Sequence, residues 1–93
     1  MLVRLTEVVE NQSTKTFSVR EVTINPEHSV AIRDDYQAAQ ALTENRMPDG
    51  LSKSATFSRL YMNSGQHGLQ IVVVGDPATV ESKLNNNRRV LKG

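Results

Sequence analysis

The stretch HGLQIVVVG, residues 67–75, is the most apolar in this chain and constrains its fold more than any other. Side chains on a strand alternate between two faces, so Leu69, Ile71 and Val73 share one face while Val72 and Val74 share the other. A half-solvated sheet reads polar on its second face, and this strand does not. Both faces therefore need a cover. In a chain of 93 residues cover is scarce, because a domain this small buries only about two-thirds of its unfolded surface. Two sources present themselves: a neighbouring subunit, or the helix that carries Val80 and Leu84.

The rest of the pattern is mainly β. Residues 2–9, LVRLTEVV, set Val3, Leu5 and Val9 against Arg4 and Thr6, which predicts a strand ended by the polar loop ENQST. In KTFSVREVTI, Phe17 and Val19 are in phase, but Val22 and Ile24 are shifted by one. A bulge or sharp bend near Arg20 and Glu21 is expected to reset that register. NPEH is a tight turn, and SVAIR a third strand with Val30 and Ile32 facing in. Residues 34–53 form a helical insertion, with Asp34 or Asp35 as N-cap, Ala38 and Leu42 at helical spacing, and Asn45 and MPDG ending the helix. SATFSRLYMN and LQIVVVG are strands four and five around the turn SGQHG. DPATVESKLN is a helix with Asp76 as N-cap and Pro77 at its first position. Residues 85–93 form a basic, flexible tail.

Composition narrows the classes. A net charge of +1 creates no overall field that demands nucleic acid or anionic membrane, so any basic site is local. With no cysteine, disulfide and thiolate chemistry are excluded, as fits a reducing cytoplasm. The longest apolar run falls well short of the ~20 residues of a membrane-spanning helix, and MLVRLTEVVE lacks a signal-peptide layout. The expectation is a single cytoplasmic domain over residues 1–93: five short antiparallel strands, one strongly bent, as a small barrel.

This layout resembles the Sm/LSm family of small β-barrels. FSVREVTINPEHSVAIR corresponds to the family's first motif and SRLYMNSGQHGLQIVVVG to its second, with the insertion between them. The chain is also similar to short flagellar-operon proteins in INPEHSVAI and DPATVESKL, and to small Sm-like proteins of marine cyanobacterial phages, which would place it in a host cytoplasm. The resemblance implies a homo-oligomeric ring of about five to seven subunits, closed by head-to-tail contacts. Neighbours would join through strands four and five, with Leu60, Met62, Val72 and Val74 at the interface. It further implies binding of single-stranded RNA or DNA and a role in nucleic-acid processing or regulation.

On that reading NPEH and NSGQHG lie close together, and Asn25, His28, Asn63, Gln66 and His67 contact bases: amides read base edges and imidazoles stack. Arg88, Arg89 and Lys92, the one basic cluster, would contact phosphates, or simply complement a helix dipole. Arg20 and Arg59 are either solvent-facing charges or phosphate contacts. The two histidines have no zinc-motif spacing, no cofactor signature appears, and no Ser-His-acid or phosphate-loop pattern is present. The chain is therefore read as a binding protein and not an enzyme. The alternative function is a structural or adaptor ring of a phage or motor-like assembly that binds only protein.

Overall fold

A computed structural model describes residues 2–64 and 67–89, with the side chains of 64, 67 and 86–89 outside its description. In chain order it contains β1 (Val3–Asn11), β2 (Thr16–Ile24), a 3-10 turn (Pro26–His28), β3 (Ser29–Asp34), α1 (Tyr36–Thr43), β4 (Phe57–Ser64), β5 (His67–Val74) and α2 (Pro77–Arg89). The strands form one antiparallel sheet in the order β2-β1-β5-β4-β3. The expected content of five antiparallel strands, a helical insertion and a carboxy-terminal helix is present. The sheet does not close, since β2 and β3 remain its two edges.

The seam of this sheet is short. β1 pairs with β5 only at Glu7–Val73 and Val8–Val72. Side chains of the β1–β2 ribbon and of the β3–β4–β5 meander gather in two clusters, which define an inner and an outer face. Val3, Leu5 and Ile24 pack on the inner face with Leu60, Ile71 and Val73, and Val80 and Leu84 of α2 complete the cluster. Val8, Ala38 and Phe57 form the outer cluster, joined by Phe17, Leu42, Met47, Leu51, Val72 and Val74. Fully burying each large side chain of these clusters is worth roughly 1.5–3 kcal/mol.

The two clusters explain the phase shifts. β1 and β2 pair in one unbroken register from Val3–Ile24 to Asn11–Thr16, without the bulge expected near Arg20 and Glu21. Phe17 faces the outer cluster while Val22 and Ile24 face the inner one, so a regular strand changes which face is apolar as it crosses from one core to the other. β1 does the same. Val8, rather than Val9, is its third buried residue. Among the described residues the one register shift lies in β3 between Ser29 and Ala31, where Val30 turns outward and is 67% exposed, not inward as its spacing from Ile32 implied.

The apolar second face of β5 has a third kind of cover. Val72 and Val74 pack beneath the insertion, alongside α1 and the segment carrying Met47 and Leu51, and not under α2. Leu60, Met62, Val72 and Val74, expected at a subunit interface, all pack within the chain's own two clusters. β4 and β5 are interior strands, hydrogen-bonded on both sides within one chain. Leu60 is 0% exposed in the inner core, and Met62 packs against the same cluster. Helix α2 also runs on through residues 85–89, the first part of the expected tail.

Local chemistry fits these elements. Asp76 accepts a hydrogen bond from the Thr79 hydroxyl and its carbonyl receives Val80 N–H, which starts α2 behind Pro77. Gly75, at φ +121°, makes the turn before it, where a Cβ would sit 3.3 Å from Val80. Buried Ser58 donates its hydroxyl to the Gly75 carbonyl at 2.7 Å. Leu60→Ala should cost about 3 kcal/mol in urea unfolding, because it leaves a cavity in the subunit's own core. The unfolding midpoint should not move with protein concentration; one that rises with concentration would return Leu60 to an interface.

Candidate functional site

The 3-10 turn and the end of β4, distant in sequence, meet at one end of the sheet. Asn25 caps the 3-10 turn, its side-chain oxygen accepting from Glu27 N–H at 3.0 Å. That turn presents His28, whose ring Nδ1–H donates to the Asn63 carbonyl at 2.8 Å. Asn25, His28 and Asn63 are thereby brought together as the sequence suggested, leaving the exposed His28 Nε2 and the Asn63 side chain free of hydrogen-bond partners among the described residues. The side chains of His67, Arg88 and Arg89, and all of Gln66 and Lys92, lie outside the described residues.

The outer face leading away from this end is polar. Register places Asn63 opposite Gly68, Tyr61 opposite Gln70, and Arg59 between Arg33 and Val72. Arg33 lies over the Tyr61 ring, 5.7 Å from its centroid, an arrangement that holds a cation beside an aromatic surface. Arg33 has no ion-pair partner among the described residues. These side chains come from the polar phase of strands whose apolar phase builds the core, and α1 covers only the far half of the same face.

Arg59, left open by its position in the sequence, is a structural residue. Its Nε and Nη2 donate to Asp35 Oδ1 at 3.0 and 2.8 Å, and Nη1 donates to Gln70 at 3.2 Å. Asp35, 6% exposed, uses its other oxygen to accept Ala38 N–H at 3.0 Å and so caps α1. Its backbone N–H bonds the Phe57 carbonyl. One carboxylate ties the insertion to β4.

Beyond Arg59 the face deepens into a cleft of about 460 Å3 between α1 and the sheet, lined by Val8, Phe17, Val72, Gln37, Gln40 and Arg46, among others. Arg46 lies 5.7 Å from the Phe17 ring centroid, pairs with Glu44 at 2.8 Å and donates to the Lys15 carbonyl. The Arg46 bond, and then the Gln40 amide, hold the Glu44 carboxyl below the usual carboxylate range. The sequence reading missed this cleft. The signal available for it was Gln37 and Gln40, three apart on one short helix and so on one face.

On the opposite, inner side of the hairpin end lies an apolar groove lined by Val22, Ile24, Met62, Leu69 and Ile71, with Thr23, Asn25 and His28 at its rim. Among the described residues, no group of histidine and acidic side chains is placed to hold a metal ion, and no helix is long and apolar enough to cross a membrane. No family model, curated protein or solved structure matches the chain.

Asp35→Ala removes both the cap and the partner of Arg59, and should cost about 3 kcal/mol in chemical denaturation, against less than about 0.5 for exposed Asp34→Ala. Equal effects would show that the pair carries no special weight. Arg46→Gln should return the Glu44 titration, followed by NMR, toward the ordinary carboxylate value. Because the folded value is the lower one, any stabilisation from this contact is present above the ordinary range and is lost as pH falls through the lowered value.

Proposed function

We propose that this chain is a non-enzymatic, Sm-like module that binds single-stranded nucleic acid, RNA ahead of DNA. The observation that carries the reading is the outer-face track from Asn63 and His28, past the stacked Arg33–Tyr61 pair, to Arg59. An exposed cation beside an aromatic ring on an open sheet suits a base and its phosphate at once, since stacking is tolerant of sequence and the cation follows the backbone. A weak net charge is no obstacle where the contact is this local.

A second reading is a structural or adaptor subunit that binds only protein. The apolar groove favours it, because none of its lining residues is Lys, Arg, Asp or Glu. Assembly into a ring would run between the free edges, β2 of one subunit against β3 of the next, in a head-to-tail contact.

A fluorescent single-stranded oligonucleotide titration separates the two. Tyr61→Ala should weaken binding roughly tenfold, the loss of one stacked base. Arg33→Gln should lower the slope of log affinity against log salt by about 0.7, one phosphate contact on a single strand. Replacing Asn63, Gln66 and His67 together by alanine should also weaken binding. Wild-type protein that binds no oligonucleotide at physiological salt would end the nucleic-acid reading and leave the adaptor, whose assembly state light scattering then reads.

A further inference from the structure

We infer that the cleft between α1 and the sheet is a nucleobase pocket, the terminus of the outer-face track. The inference rests on the strand-binding reading for its choice of ligand, and otherwise on the cleft itself.

The cleft's charges are already matched. Arg59 is held by Asp35 at 2.8 Å and Arg46 by Glu44 at 2.8 Å. A phosphate entering here would have to compete with both carboxylates and would face Glu10 on the lining as well. What remains on offer is uncharged. Gln37 has an amide nitrogen, and Gln40 a carbonyl oxygen, without a protein partner among the described residues; the Gln40 nitrogen is taken by Glu44 at 3.1 Å. A neighbouring donor and acceptor on one helix face match the alternating edge of a base.

The remaining walls suit a flat, weakly polar ring. Val8 and Val72 pair across β1 and β5 and form an apolar floor, and the half-buried Phe17 ring stands beside them with Arg46 on it. At about 460 Å3 the cleft has room for one base with its sugar. The pocket is held open by contacts that need no ligand: Phe17 N–H donates to the Arg46 carbonyl at 2.8 Å, and Asp35 fixes α1 to β4. Arg59 lines the cleft and is next in register to Arg33, so phosphates of a strand whose base occupies the cleft can reach Arg33, a cation with no ion-pair partner among the described residues.

The test uses uncharged ligands on the intact chain. The four ribonucleosides, inorganic phosphate, and a short single-stranded RNA are titrated separately while the side-chain amide signals of Gln37 and Gln40 and the ring signals of Phe17 are followed by NMR. At least one nucleoside should shift all three residues saturably, with phosphate inert, and Gln37→Ala should weaken that nucleoside roughly five- to tenfold, one hydrogen bond's worth. Gln37 is exposed, so this variant is expected to fold; amide spectra outside the cleft report it. Nucleosides that move none of these signals while the RNA still binds would overturn the pocket and leave the strand-binding reading standing. Shifts caused by phosphate instead would overturn it as well, making the cleft an anion site. Nucleoside binding without RNA binding would uphold the pocket and remove the strand-binding reading, and silence from both would remove the two together.

Discussion

The carboxylate of Asp35 is the contact on which the arrangement depends. It ends β3's path, caps α1 through Ala38 N–H, and holds the Arg59 guanidinium of β4 from a position almost closed to solvent. A carboxylate so placed is tolerable only while it is paired and hydrogen-bonded, and here both oxygens are used. Remove it and α1 loses its cap, the insertion loses its tie to β4, and Arg59 is left facing the cleft without a counter-charge.

The second constraint is the presence of apolar side chains on both faces of one sheet. A small domain normally answers with one core; this one has two, divided by the sheet and fed by different helices. α2 completes the inner cluster and the insertion the outer. The same division explains why β1 and β2 change apolar phase halfway along while their pairing stays regular: the requirement for burial moves from one face to the other as the ribbon passes the short seam with β5. It also leaves the hairpin end of the outer face open, and there the polar phase of β3, β4 and β5 gathers a cation, an aromatic ring and amides into one surface.

Electrostatics then sorts the arginines. Arg59 and Arg46 are spoken for by Asp35 and Glu44, and their work is to hold the cleft in shape. Arg33, over the Tyr61 ring and without an ion-pair partner among the described residues, keeps its charge available. Residues of one type, close together in space, thus separate into structural and candidate binding roles by whether a carboxylate lies within reach.

By itself the sequence determined the kinds and order of the elements, because these follow from spacing between near neighbours: alternation for the strands, Asp34 or Asp35 ahead of an Ala-rich helix, Asp76-Pro77 ahead of another, and Asn45 at a helix end, where the structure puts it in the left-handed region at φ 62°. That Asn25, His28 and Asn63 lie together was an implication of the family resemblance and not of any local pattern, and the His28–Asn63 hydrogen bond is where the structure joins them. Only the tertiary structure decided which strands are edges, what covers Val72 and Val74, that Val30 turns outward, and that Arg59 is structural. Those outcomes depend on pairing between segments tens of residues apart. Chain-closure cost varies only slowly with loop length, so it does little to choose among topologies. What chose was the simultaneous burial of two apolar faces, a condition that no local window of the sequence contains.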